Sequence, residues 1–183
     1  VIEGVMGLYD GVDGGDESST AHVARILDAP IILVADVKGM SRSCGALVSG
    51  YTGFDKSLRF AGAVLTKGGS ERHRSMVCSA LPIPVLGWIP RTEALAVESR
   101  HLGLLMAEED SRMKQTAELI EETCLLDEIL KAASAAPAVS AAADAEEKEP
   151  AFTLAAASDS AFCFSYADNF TALRNAGAEI VFF

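Results

Sequence analysis

Apolar positions along the chain fall into short runs punctuated by turn residues. Residues 31–36 (IILVAD) form an unbroken apolar run that is entered from Pro30 and ends on an acid. Residues 60–66 (FAGAVLT) and 84–89 (PVLGWI) repeat the pattern. Continuous runs of this length are the mark of parallel strands buried on both faces. Residues 1–2 read as the tail of another such strand. Between the runs the pattern turns helical. Ser18 or Ser19 is placed to cap a helix through Leu27, and residues 41–50 predict a second helix. Residues 67–69 form a turn, after which Ser70 caps a helix through about Leu81. Strands alternating with helices across short turns predict an α/β fold with a parallel, doubly wound sheet.

Beyond residues 90–105, which are irregular and charged, residues 107–131 predict one long helix. Its apolar stripe is Leu119, Ile120, Leu126, Ile129 and Leu130. Residues 132–150 are a low-complexity run of Ala, Ser, Pro and acids, with too little apolar bulk to pack, and read as a linker. A second α/β start follows: strand 152–157, helix 168–176, strand 179–183. Two strands make too small a core for a domain, so this part is expected to be truncated. The start at Val1, inside a strand-like run, places the true N-terminus elsewhere in this reading.

Composition narrows the function classes. The 183 residues are half apolar, and 15 basic against 26 acidic side chains give a net charge of −11. A broad nucleic-acid surface needs clustered Lys and Arg, and this balance argues against one. The four cysteines, Cys44, Cys78, Cys124 and Cys163, are far apart and form no C-x-x-C pair. They fit reduced thiols in a cytoplasmic protein better than a zinc site or a disulfide framework. No apolar run reaches membrane-spanning length, and no signal peptide is visible.

Candidate chemistry sits at the strand ends, where open α/β sheets bind ligands. Glu3 ends a strand-like run and opens a loop containing Gly4, Gly7 and Gly11. A carboxylate there can hold Mg²⁺ and so place ATP phosphates, or it can simply belong to an acid-capped surface turn. Asp10 lies on the same loop and can meet a substrate. Asp36 ends the next strand, either behind the phosphates or as a helix cap. Arg72 and His73 open a helix after a strand and can contact a carboxylate-rich substrate, or be exposed residues of a capped helix. Arg91, Arg100 and His101 follow the last strand and could do the same. Cys163 lies between apolar neighbours without a nearby histidine and reads as a structural thiol. No G-x-x-x-x-G-K-[ST] phosphate loop occurs.

Taken in order, several segments resemble the cobyrinic acid a,c-diamide synthase family, glutamine-dependent enzymes of cobalamin biosynthesis. They are residues 1–11 (VIEGVMGLYDG), 19–29 (STAHVARILDA), 30–43 (PIILVADVKGMSRS), 68–73 (GGSERH), 85–91 (VLGWIPR) and 99–104 (SRHLGL). Residues 158–169 (SDSAFCFSYADN) and 177–183 (GAEIVFF) look like the entry to that family's glutaminase domain. The resemblance implies part of a dethiobiotin-synthetase-like P-loop sheet at 1–131, a linker at 132–151 and the first βαβ unit of a class I amidotransferase domain at 152–183. It implies ATP, Mg²⁺, glutamine as ammonia donor and a corrinoid or other tetrapyrrole carboxylate as substrate. Glu3 maps to the Mg²⁺-associated acid and Asp10 to the acid at the substrate carboxylate, with Gly7, Leu8 and Tyr9 lining the same loop. Arg72 and His73 fall in the GSERH motif, among the substrate contacts. Thr66, Lys67, Pro90 and Arg91 fall at the nucleotide edge. The family usually carries an Asn-Arg-like pair where this chain has Thr66-Lys67, and a threonine lacks the paired donor and acceptor of a carboxamide.

The resemblance leaves open amidation of another tetrapyrrole, of sirohaem or nickel-sirohydrochlorin type, and a degenerate domain that only binds a partner. A homo-oligomer is compatible with either. The phosphate loop and the glutaminase nucleophile would lie outside these residues, so the chain alone is expected to make no amide.

Overall fold

A computed structural model describes residues 1–92, 112–139, 149–159 and 161–183. Three helices and three strands alternate first: α1 (Thr20–Ile26), β1 (Ile31–Asp36), α2 (Arg42–Phe54), β2 (Phe60–Gly68), α3 (Glu71–Cys78) and β3 (Val85–Pro90). The strands form one parallel sheet in the order β1-β2-β3. Each apolar run of the sequence has become one strand. Ser19 caps α1 by accepting from the His22 amide, and Ser70 caps α3 by accepting from the His73 amide. The elements follow the sequence expectation, with α2 extending four residues further than expected and α3 ending at Cys78, three residues short of Leu81.

One face of the sheet carries the core. Ala35, Val37, Leu65 and Trp88 meet Cys44 and Val48 of α2 and Val77 of α3. Burial raises the thiol pKa of Cys44, so this cysteine is an apolar core residue. All four cysteines are free thiols.

The structure corrects the sequence expectation at four places. Residues 1–2 form no strand and are exposed. Two apolar residues supply no ladder of their own, and nothing in the described sheet pairs with them. The β1 run is not buried on both faces, since Val34 is 65% exposed. Among the described residues β1 pairs with β2 alone, and the helical chain of residues 113–134 contacts β3 instead. Residues 67–68 belong to β2 rather than to a turn. The ladder shifts register between Leu65 and Gly68, and Lys67 adopts φ +56 in this bulge.

The fourth correction is the long helix, which is two: α4 (Met113–Thr123) and α5 (Leu126–Ser134). Cys124 is extended and bridges Gly87 in antiparallel fashion, and the Leu125 amide donates to the Leu86 carbonyl at 2.7 Å. The chain leaves helical geometry to pair with β3. As a result Leu126 and Leu130 of the expected stripe are exposed, while Leu119, Ile120 and Ile129 are half-buried. Residues 93–111, 140–148 and 160 lie outside the described residues. With them lie the SRHLGL segment, Arg100, His101, the start of the expected long helix and half of the linker.

A second compact unit is formed by residues 149–159 and 161–183. In it β4 (Phe152–Ala156) and β5 (Ala178–Phe182) pair in parallel with α6 (Ala167–Asn175) between them in sequence. Phe170 packs edge-on against Phe182, with ring centres 5.2 Å apart.

Candidate functional site

The C-terminal ends of β1, β2 and β3 bring together residues far apart in sequence. Lys67 Nζ lies 2.6 Å from Asp36 Oδ2, and the Lys38 amide donates to Asp36 Oδ1. Lys67 first, and then the Lys38 amide, holds the Asp36 carboxyl below its ordinary pKa. Asp36 therefore closes a strand-end turn and does not cap α2, whose N-cap is Ser41. The Thr66 hydroxyl donates to the Ala35 carbonyl, and the Thr66 carbonyl accepts from the Val37 amide. Pro90 pairs with Gly68, and the Arg91 amide donates to the Gly68 carbonyl at 2.9 Å. Thr66, Lys67, Pro90 and Arg91 thus form one group, with exposed cations at Lys38, Lys67 and Arg91. Such an edge suits an anionic ligand.

His73 is turned inward beside this group. Its Nδ1 accepts from the Gly69 amide at 3.0 Å, so Nε2 carries the proton and donates to the Met40 carbonyl at 2.6 Å. Its ring meets Trp88 edge-on, centres 5.3 Å apart. Arg72, its neighbour in the motif, is exposed.

The Gly-rich loop forms a second group. Tyr9 stacks on Tyr51, packs at a tilt on Phe54, and donates its hydroxyl to the Tyr51 carbonyl. Burial, its largest influence, raises the Tyr9 pKa. The Leu8 carbonyl accepts from the Ala21 amide, and the Asp10 amide donates to the Gly7 carbonyl. The loop's far side is tied by Arg25, which pairs with Asp16 at 2.7 Å and Asp55 at 2.8 Å. Glu3 and Asp10 are exposed. Two exposed carboxylates suit Mg²⁺, which takes its other positions from water and phosphate. Among the described residues no three His, Cys, Asp or Glu gather as metal ligands. Leu8 connects to α1, Tyr9 to α2, and Gly7 and Asp10 to each other, and among the described residues no hydrogen bond, ion pair or ring contact joins these or Glu3 to the strand-end group.

A family model described as AAA domain matches residues 1–99. The chain belongs to the AAA domain family. The matched part of this AAA-domain chain contains both groups of residues. Along its full length the chain is similar to curated relatives. It is 41% identical to the hydrogenobyrinate a,c-diamide synthase of Thermobifida fusca, with all of this chain and 43% of the relative covered. It is 39% identical to the cobyrinate a,c-diamide synthase of Picrophilus torridus, with all of this chain and 44% of the relative covered. The hydrogenobyrinate a,c-diamide synthase of Brucella anthropi is 40% identical, again over all of this chain and 44% of the relative. These relatives bear out the resemblance drawn from the motifs. The chain spans less than half their length. No solved structure matches the chain. No helix among the described residues is long and apolar enough to cross a membrane.

Several residues around these two groups escaped the sequence reading. Met40, Trp88, Tyr51 and Phe54 act through a carbonyl or a ring face, and Arg25, Asp16 and Asp55 act as a network. The separations of 42 residues for Tyr9–Tyr51 and 33 for His73–Met40 leave no local signal.

Proposed function

We propose that the protein acts in the ATP- and glutamine-dependent conversion of the a and c carboxylates of cobyrinate to amides. Similarity along the whole chain to enzymes of that name carries the reading. A corrinoid carboxylate oxygen attacks the γ-phosphorus of ATP, the bond to the ADP oxygen breaks, and an acyl phosphate forms. Ammonia released from glutamine then attacks the acyl carbon. Phosphate leaves with the carbon–oxygen electron pair, the nitrogen sheds a proton, and the amide remains.

In this reading Thr66, Lys67, Pro90 and Arg91 border the nucleotide at the strand ends. Asp10, with Gly7, Leu8 and Tyr9, orients the substrate carboxylate, and Arg72 meets another carboxylate of the polyanionic corrinoid. Of the motif, Arg72 alone takes the substrate contact in this reading, because both ring nitrogens of His73 are engaged by Gly69 and Met40. Glu3 would hold Mg²⁺, which when bound neutralises phosphate charge. Residues 152–183 open the glutaminase part.

The test uses the full-length gene product with cobyrinate, ATP, Mg²⁺ and glutamine, following amide formation by mass. Amidation is expected, and Glu3→Gln is expected to lower it by about a hundredfold or more while glutamine hydrolysis survives. Wild-type protein that makes no amide overturns the function. Unchanged amidation by Glu3→Gln overturns the metal assignment. Relatives are named for both cobyrinate and hydrogenobyrinate, so the cobalt-free acid belongs in the same assay.

A further inference from the structure

We propose that His73 is a positioning residue for the nucleotide edge, holding Lys67 and Asp36 in place through three separate contacts. The inference rests on the strand-end group being where ATP binds. His73 Nδ1 takes the Gly69 amide, which lies two residues beyond Lys67. His73 Nε2 grips the Met40 carbonyl, in the connection that follows Asp36. One imidazole therefore ties the β1–α2 connection to the β2–α3 connection.

The third contact is Trp88. The indole lies so close over Gly68 that a Cβ there would collide with it, and the His73 ring closes its edge. Gly68 in turn holds Arg91 through its carbonyl. Lys67 sits between these restraints in a left-handed backbone conformation, which a non-glycine residue keeps only when its surroundings hold it there. The ion pair from Lys67 to Asp36 completes the circuit. Asn can replace the Nδ1 acceptor, because its side-chain oxygen reaches the same place. Alanine replaces nothing.

The experiment is calorimetric titration of the full-length protein with ATP and Mg²⁺, beside its thermal midpoint and the amidation assay. His73→Ala is expected to weaken ATP binding about tenfold, the size of one or two lost hydrogen bonds. Its kcat at saturating ATP should stay within about twofold of wild type, since no reacting atom is touched. His73→Asn is expected to bind ATP within about threefold of wild type. His73→Ala binding as tightly as wild type overturns the inference, and so does His73→Asn binding as weakly as His73→Ala. If His73→Ala does not fold, His73→Asn against His73→Phe decides on the same criteria. Wild-type protein that binds ATP but makes no amide sinks the proposed amidation and leaves His73 to be judged by binding. Wild-type protein that binds no ATP overturns both.

Discussion

At the residue scale, a close approach within β3 falls at Gly87. A Cβ added there would stand 2.5 Å from Cys124 Sγ and 3.3 Å from Val64 Cγ1. The glycine lets residues 124–125 approach β3 closely enough to pair with it. Gly87→Ala should therefore cost about 1–3 kcal/mol through overpacking. The clash is with one sulfur, so it should be relieved by a second change. Gly87→Ala combined with Cys124→Ala is expected to be more stable than the sum of the two single changes, by about 0.5–3 kcal/mol. Urea unfolding midpoints of the four proteins read this directly. Strict additivity would mean that the sulfur and the missing Cβ do not share the space described.

At the scale of elements, the break between α4 and α5 is the feature that sequence periodicity hid. Leu119 continues in helical phase to Leu126 and Leu130, so residues 107–131 look like one helix. What interrupts them is an offer from outside: the unpaired edge of β3, taken by Cys124 and the Leu125 amide. Edge strands invite such pairing, yet a pattern read along one segment cannot contain the edge of another. The same limit explains Tyr9, whose partners lie on α2, and Val34, whose exposure depends on which strand ends the sheet. By contrast Ser19 and Ser70 were legible, because a cap needs only its own next three residues. The strands were legible because each carries its full apolar run. For the candidate site, Lys67 was expected in a turn, because its bulge depends on pairing with β3, whereas the strand-end positions of Thr66 and Arg91 followed from the strands. The inward turn of His73 did not, since Met40 offers only a backbone carbonyl. The break itself can be tested with Leu125→Pro. Leu125 has φ −83, which proline accepts, and Cys124 is extended, as a residue before proline prefers. The substitution thus removes the amide donor with little backbone strain. It should destabilise by about 1–3 kcal/mol, the cost of leaving the Leu86 carbonyl unpaired. No loss of stability would show that this hydrogen bond does not hold the break.

At the scale of the whole molecule, charge gives two opposing trends with pH. The net charge of −11 at neutral pH is a self-repulsion that relaxes as carboxylates protonate. Against it stand specific acids whose ionised form the fold holds. The hydroxyl and amide of Ser57 first, then Arg25, lower the Asp55 pKa to about 2. Arg25 lowers that of Asp16, and Lys67 lowers that of Asp36. All three shifts run downward, so the folded state binds fewer protons than the unfolded chain in the acid range. Their contribution is complete above the ordinary aspartate range near about 4 and is lost as pH falls toward about 2. The urea midpoint should therefore stay level or rise slightly from pH 7 to 5, then fall steeply between about 4 and 2. Asp55→Asn should make the acid limb shallower, because an amide does not titrate; its oxygen still accepts from Ser57, but its NH2 cannot accept from Arg25, so the midpoint at pH 7 should fall as well. A steep fall already between pH 7 and 5 would rule out these carboxylates as its cause, since a lowered aspartate has no proton to take up there.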